Sequence, residues 1–225
     1  MKSLNALVVV LLLAGAASAQ SAADYGLLNT GSLLAGGTNP YSLTASSVSG
    51  TYGLYLPGSS AWPVGNPWIA NGGTAQWLAL YSGNSAPSAT ASVPTVAAGT
   101  YTISYSFDLT SAAASASSFE INAAVDNSLS VSLNGTALAN LGTPAATVNY
   151  DSLSHYHYLV DSTALRSGLN TLEFAVTNAA SGGNNPAGLY VAYSNLTVIP
   201  EPSTYALFLG IGTLVAAAGV RRFRR

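Results

Sequence analysis

The sequence predicts an all-β protein whose central body is a β-sandwich. Apolar and polar residues alternate with a period of two along several stretches between residues 99 and 193, which is typical of strands with one buried face. No long window outside the two apolar termini shows the 3.6-residue apolar stripe of an amphipathic helix. One-sided alternation with short loops favours two packed antiparallel sheets.

Five stretches carry this alternation. Their apolar members are Tyr101, Ile103, Tyr105, Phe107 and Leu109; Phe119, Ile121, Ala123 and Val125; Leu129, Val131 and Leu133; Leu172, Phe174 and Val176; and Leu189, Val191 and Tyr193. Asn134-Gly135 predicts a tight turn after the third stretch, because both residues tolerate positive φ. After the fifth stretch the apolar residues change parity, which predicts a bulge near Ser194-Asn195.

The N-terminus, residues 1–19, has the pattern of a signal peptide. A single charge precedes the apolar run 4–14, and the small residues Ala17 and Ala19 occupy the positions that a signal peptidase reads. The run is too short to span a bilayer stably, so we expect passage through the Sec machinery and a mature chain that begins at Gln20. The alternative is an uncleaved N-terminal membrane helix.

The C-terminus, residues 199–225, has a second apolar segment. Residues 204–220 contain no charge and are predicted to form a transmembrane helix. Seventeen helical residues rise about 25 Å, and snorkelling arginines extend this span towards the roughly 30 Å of a hydrocarbon core. The terminal cations that hold the tail in the cytoplasm are Arg221, Arg222, Arg224 and Arg225. The body would then lie outside the inner membrane.

The motif Pro200-Glu201-Pro202 directly precedes this helix. The two prolines stop the helix from extending backward and leave Glu201 in an extended segment that a protease can read. Pro-Glu-Pro, one apolar helix and an arginine-rich end, in this order, resemble the PEP-CTERM sorting signal, which is also labelled an ice-binding protein C-terminal domain. The alternative is a plain tail anchor in which the motif is accidental.

The PEP-CTERM resemblance covers residues 199–225 and implies recognition by an exosortase, a membrane cysteine peptidase that cuts near the motif. Such proteins occur in Gram-negative bacteria that make exopolysaccharide and biofilm matrix. The resemblance therefore implies a precursor that is held transiently in the inner membrane. The processed protein would then reach the cell surface or the extracellular matrix.

Several short matches in the body, within residues 66–198, occur in the order of a module of bacterial surface proteins. They include Pro67-Trp68-Ile69, the segment 98–110, Asp126-Asn127 and the segment 168–172. The module resembles a galactose-binding-type jelly roll, which implies that the exported domain, 20–198, is a sandwich of the jelly-roll type. Residues 20–52 fall outside the resemblance and are either an additional edge strand or a flexible lead-in.

Charge is scarce and unevenly distributed. Charged residues make up 6% of the chain, whereas ordinary globular proteins have about 25%. Within residues 20–199, Arg166 is the one basic residue against seven acidic ones, so the body has a net charge of −6 although the whole chain has −2. A nucleic-acid partner is excluded because it needs a basic surface. The chain has no cysteine, and therefore neither disulfides nor a lipoprotein acylation site.

Tryptophans in a Gly-, Pro- and Asn-rich stretch are the candidate ligand-binding residues. Trp62 and Trp68 suit a neutral exopolysaccharide, because sugar C–H groups pack on aromatic rings while sugar hydroxyls reach polar side chains. The alternative is that these rings are core residues. Trp77 alternates with Ala79 and Tyr81 and is predicted to be core.

Acidic residues suggest two further sites. Asp126 and Asn127 are candidate oxygen ligands of a structural calcium ion, which would be the chain's one cofactor. Paired carboxylates can also hydrolyse glycosides. Asp108, Glu120 and Asp126, however, fall on polar strand faces and are predicted to be solvated.

His155 and His157, the only histidines of the chain, lie two residues apart, at a spacing that can bind a transition metal. The sequence shows no obvious third ligand and no nucleophile elbow, so an exposed polar strand face is the favoured interpretation and no enzyme activity is expected.

These patterns favour a structural or adhesive matrix protein. The alternatives are a carbohydrate-binding module or carbohydrate-active enzyme anchored at the envelope, and an ice-binding protein. Only the label of the tail suggests the last of these, because the sequence shows no regular rows of threonine.

Overall fold

Strands dominate the computed structural model, which describes residues 26–57, 68–72, 75–88, 94–146, 148–181 and 185–197. In these ranges the strands are β1 (Tyr41–Ser46), β2 (Tyr52–Tyr55), β3 (Leu78–Ser82), β4 (Gly99–Leu109), β5 (Ser118–Asp126), β6 (Ser128–Leu133), β7 (Thr136–Ala137), β8 (Tyr156–Val160), β9 (Gly168–Asn178) and β10 (Gly188–Thr197). One short helix, α1 (Ser111–Ala116), follows β4. The all-β prediction is therefore confirmed.

The strands form two antiparallel five-stranded sheets. The first sheet has the order β1-β4-β9-β6-β7, and the second has the order β2-β3-β10-β5-β8. In the first sheet, β4 and β9 pair along the full eleven residues of each strand. The inward side chains of both sheets merge into one apolar core, so the two sheets form a β-sandwich.

The period-two alternation correctly identifies the inner faces of five strands. Every apolar residue that it assigns to one face of β4, β5, β6, β9 or β10 is buried. The largest fully buried side chains in these strands include Tyr101, Tyr105, Phe119 and Phe174. The core is thus rich in aromatic rings, and Tyr41 of β1 stacks on Tyr105 with ring centroids 4.7 Å apart.

Two predicted irregularities are present. Asn134 and Gly135 adopt positive φ angles of 53° and 83° and connect β6 to β7. The pairing of β10 with β5 shifts register between Ser194 and Thr197, where Asn195 has a φ of 50°. This bulge returns Leu196 to the core side, as its change of parity predicts.

The segment before β1 links the two sheets. Leu28 donates its backbone N–H to the Tyr105 hydroxyl, and its carbonyl accepts from the Tyr41 hydroxyl, both at 2.8 Å. Thr30, which is fully buried, donates its N–H to the Val191 carbonyl at 3.1 Å, and its hydroxyl accepts from the Val191 N–H at 3.0 Å. Within the described part of the region 20–52, residues 41–46 form β1, which is an edge strand of the first sheet.

Short hydroxyl side chains cover the outer face of the first sheet. They form cross-strand pairs, of which Thr44–Ser104, Thr100–Thr177 and Ser106–Thr171 have oxygen–oxygen distances of 2.9–3.1 Å. Glu173 and Ala175 of β9 interrupt these pairs, so the face is a mixed polar surface.

The membrane-directed segments lie outside the described residues. These are residues 1–25, with the predicted signal peptide, and 198–225, with the motif, the apolar helix and the arginines. Within the described ranges, no helix has the length and apolar character needed to cross a bilayer.

The six-residue α1 begins after Thr110, whose hydroxyl accepts a hydrogen bond from Ala113 N–H at 3.2 Å.

Candidate functional site

An aromatic cluster covers part of the outer face of the second sheet. The strand residues Ala79, Ala124 and Tyr190 point away from the sandwich core, and the side chain of Trp77 packs on them. Trp77 is fully buried, and its indole N–H donates to the Ile69 carbonyl at 2.8 Å. The prediction that Trp77 is a core residue is confirmed, although its cluster lies outside the main core.

Trp68 lies at the surface of this cluster. Its ring stacks on Tyr150 with centroids 4.3 Å apart and an interplanar angle of 17°, and meets Trp77 edge-on at 4.8 Å. Ile69 donates its N–H to the Tyr150 carbonyl at 2.9 Å, which holds the two loops together. Trp68 and Tyr150 are both half-buried, so they form a preorganised pair of rings that solvent can still reach.

Asp126 lies on this same outer face, at the end of β5. Its side chain is only 5% exposed, and burial raises the pKa of its carboxyl from 3.8 to about 7. Burial, and then the charges of Asp126 and Asp151, raise the pKa of Tyr150, so the carboxyl and the ring of the stacked pair are electrostatic neighbours. The prediction that Asp126 is solvated is wrong, because loop residues cover this end of the sheet.

Asn127 holds the loops beside Asp126 in place. Its side-chain amide donates to the Asp126 carboxyl, and its Oδ1 accepts from Ala179 N–H at 2.6 Å. The peptide bond between Asp126 and Asn127 is cis. Asn149, which is buried, donates to the Asn127 carbonyl at 2.8 Å and also binds both backbone groups of Ala145. This network fixes the loop that ends at Tyr150.

A calcium ion would find few ligands here in this arrangement. Calcium takes about six to eight oxygen ligands, whereas Asn127 turns its nitrogen towards Asp126 and its oxygen towards Ala179. Among the described residues, no three histidine or acidic side chains form a cluster that would hold a metal. The pair thus offers a cation one carboxylate, and calcium binding at Asp126 and Asn127 stays a prediction.

The two histidines lie next to separate carboxylates. His155 Nε2 lies 2.7 Å from Asp151 Oδ1, and its Nδ1 lies 2.9 Å from the Thr143 carbonyl. The contact with Thr143, followed by that with Asp151, raises the pKa of His155. His157 Nε2 lies 3.4 Å from a Glu120 carboxyl oxygen. Both side chains are half-buried, and each ring is turned to its own partner.

The acidic residues do not form a glycosidase pair. Glu120 and Asp126 lie six residues apart on β5, which corresponds to about 20 Å along a strand. Hydrolysis of glycosides requires two carboxyls separated by about 5–9.5 Å. Asp108 lies on the outer face of the first sheet and is far from both.

No protein-family model matches the chain, and no curated protein matches its sequence.

The structure brings Trp68, Tyr150 and Asp126 together. The sequence analysis identified Trp68 and Asp126 but missed Tyr150, because Tyr150 belongs to no alternating stretch. Its position next to Asn149 was the one feature of the sequence that could have pointed to a surface loop. Trp62, Ala17, Ala19, Gln20 and the Pro200-Glu201-Pro202 motif lie outside the described residues.

Proposed function

We propose that this chain is an exported cell-surface or extracellular-matrix protein with a structural and adhesive role. An exosortase would sort it through Pro200-Glu201-Pro202, and its jelly-roll-type body would then bind neutral exopolysaccharide. The jelly-roll type is supported by the alternation of β3, β4, β5 and β6 between the two sheets. The proposed role is not enzymatic, in keeping with the separation of Glu120 and Asp126.

The observation that carries the proposal is the half-exposed Trp68–Tyr150 stack. An aromatic face takes up the C–H face of a sugar ring, while amide and carboxyl groups at its edge bind hydroxyls. The stacked geometry means that little side-chain entropy is lost when a ligand binds. The body also lacks the cations that a polyanionic ligand needs, since Arg166 is its only basic residue.

Single-site affinity should be weak. A shallow platform gains little beyond the cost of ordering the ligand, and millimolar binding corresponds to about −4 kcal/mol. Retention in a matrix would result from many copies binding one polymer, because effective concentration multiplies weak contacts.

The direct test is affinity electrophoresis of the mature protein, purified from the producing cells, through gels that contain neutral polysaccharide. Trp68→Ala should weaken the retardation, and Trp68→Phe should weaken it less, because the smaller ring keeps part of the aromatic face. Leu159→Ala removes an exposed apolar side chain, 52% exposed, elsewhere in the second sheet and should behave as wild type. Trp62→Ala shows whether the second predicted tryptophan contributes.

Retardation should not change with salt, because binding a neutral polymer releases no counterions. If Trp68→Ala leaves the retardation unchanged, the Trp68–Tyr150 platform does not bind the polysaccharide. No retardation by the organism's own matrix polymer would leave a purely structural role.

A further inference from the structure

A cleft of about 580 Å³ lies on the other side of the sandwich, between the segment before β1 and the end of β4. This volume is within the range of about 300–1,000 Å³ that ligand pockets occupy. Its polar lining residues are Ser42, Ser104, Ser106 and Asp108, and its apolar lining includes Leu28, Leu34 and Pro40.

The cleft exists because β4 is longer than its neighbour. β1 pairs with β4 only up to Tyr105, whereas β4 continues to Leu109. Beyond that point the edge of β4 faces the segment that leads into β1, and the two do not form a ladder. The wall of the cleft is therefore a strand edge.

The backbone of β4 presents hydrogen-bonding groups to this cleft. Thr100 donates its N–H to Ser47 Oγ at 2.8 Å, and its carbonyl accepts from Ser47 N–H at 2.9 Å, so the backbone groups of Thr100 point to the β1 side. Residues two apart in a strand point to the same edge. The C=O group of Ser106 and both backbone groups of Asp108 consequently face the cleft. The Ser106 N–H lies opposite the Pro40 carbonyl at the last bridge of the β1–β4 pairing, but Pro40 has no N–H to return, and β1 forms no pair with Asp108.

This lining matches the chemistry of a neutral sugar. Leu34, which is 47% exposed, and Pro40 offer apolar contact to a C–H face. The hydroxyls of Ser42 and Ser106, the exposed carboxyl of Asp108 and the free backbone groups offer donors and acceptors to sugar hydroxyls. The carboxylate also disfavours an anionic ligand.

We propose that this cleft is a second saccharide-binding site, so that one domain bridges two chains of the matrix polymer. The cleft belongs to the first sheet, and the Trp68–Tyr150 platform lies on the outer face of the second, so the two sites open on opposite sides of the sandwich. Bridging rests on the proposed function, because it needs both sites; binding at the cleft does not.

The test uses the mature protein with dextran and with a neutral galactan as probes. Retardation in affinity electrophoresis reports binding, and turbidity of the mixed solution reports bridging. Asp108→Ala and Ser42→Leu alter the cleft, and Trp68→Ala alters the platform. Ser130→Ala, an exposed hydroxyl of the same outer face, and Glu173→Gln, a matched loss of charge outside the cleft, are the controls.

We expect each cleft variant to weaken retardation about tenfold in a background of Trp68→Ala, Asp108→Ala by the loss of a charge-assisted hydrogen bond and Ser42→Leu by filling the cleft. Each of the three single variants should abolish turbidity, while both controls retain it. If the cleft variants remove retardation and Trp68→Ala has no effect, the saccharide binds at the cleft and not at the Trp68–Tyr150 platform.

Cleft variants that match wild type in both readouts would overturn the proposal. A second outcome would also overturn it: if the protein forms dimers in sedimentation that Asp108→Pro abolishes, the edge of β4 docks a strand of a second copy instead of a saccharide.

Discussion

Asp126 is a buried acid with almost no local compensation. Its carboxyl accepts one described hydrogen bond, from Asn127, and lies beneath the loops that carry Trp68 and Tyr150. Burial therefore favours the protonated form and raises the pKa to about 7. Between pH 4 and 7 the folded state retains a proton that the unfolded chain has released, so the free energy of unfolding falls as the pH rises through this window.

Asp126→Asn should remove this pH dependence, because the amide is neutral throughout and can still accept from Asn127. The variant should match wild type near pH 4 and exceed its stability at about pH 8 by on the order of 2 kcal/mol, since each pKa unit corresponds to about 1.4 kcal/mol and partial solvation reduces the effect. Urea denaturation across this pH range measures the difference. If the free energy of unfolding of the two proteins changed with pH in the same way, the pKa of Asp126 would not be raised in the folded state.

His155 also makes the free energy of unfolding fall as the pH rises. Its pKa is raised in the folded state, so its stabilising contribution is complete below the unfolded pKa and is lost as the pH rises through the folded pKa. Asp151→Asn removes its partner and separates this effect from that of Asp126.

The segment before β1 packs closely on the residues that lead into β3. Gly31 has a φ of +91°, and a Cβ atom there would lie 2.6 Å from the Cβ of Gln76. Gln76 donates its N–H to the Thr30 carbonyl at 2.8 Å, so the two backbones cannot separate without losing this bond. This contact also holds the stretch that leads into Trp77.

Gly31→Ala should therefore destabilise the protein more than Gly36→Ala. Both glycines have positive φ, which costs a residue with Cβ about 1–2 kcal/mol, but a Cβ at Gly36 meets nothing within 4 Å. The steric clash at Gly31 should add about 1–3 kcal/mol. Thermal unfolding of the two variants measures the difference, and equal melting temperatures would show that the segment is not packed on Gln76.

Alternation predicted β4, β5, β6, β9 and β10, because each presents one face to the common core. It gave no signal for the burial of Tyr190 and Ala124, which lie on the outer faces of β10 and β5. Burial of both faces produces a continuous apolar run, as in Leu78, Ala79 and Leu80 of β3. Which loop covers such a face depends on contacts that are distant in sequence, such as Ile69 with Tyr150, and the candidate site was predictable only in part for this reason.

The whole chain combines a sandwich that is poor in basic residues with two apolar ends. Arg166 is the only basic residue between Lys2 and the terminal arginines. Positive charge is thus concentrated where the positive-inside rule would hold it in the cytoplasm. This division of charge agrees with the proposed transfer of the body across the inner membrane.

We expect the mature matrix form to begin at Gln20 and to lack residues 221–225. Glu201→Ala should leave a larger species in the inner membrane, because the extended segment between two prolines would no longer be recognised. Cell fractionation followed by mass spectrometry of both termini measures this. A wild-type protein that keeps Lys2, or that stays in the inner membrane with its arginines, would contradict the corresponding half of the proposal.

The hydrogen bonds of Thr30 with Val191 span 161 residues. Asn29 and Tyr193 form a second such contact, in which the Asn29 side chain accepts from Tyr193 N–H at 2.8 Å. The strand that provides Val191 and Tyr193, β10, lies at the centre of the second sheet, so β3 and β5 cannot join before it arrives. If the chain is exported N-terminus first, as we propose, the second sheet stays incomplete until its last strand has crossed the membrane, and the sandwich would then close next to the C-terminal segment.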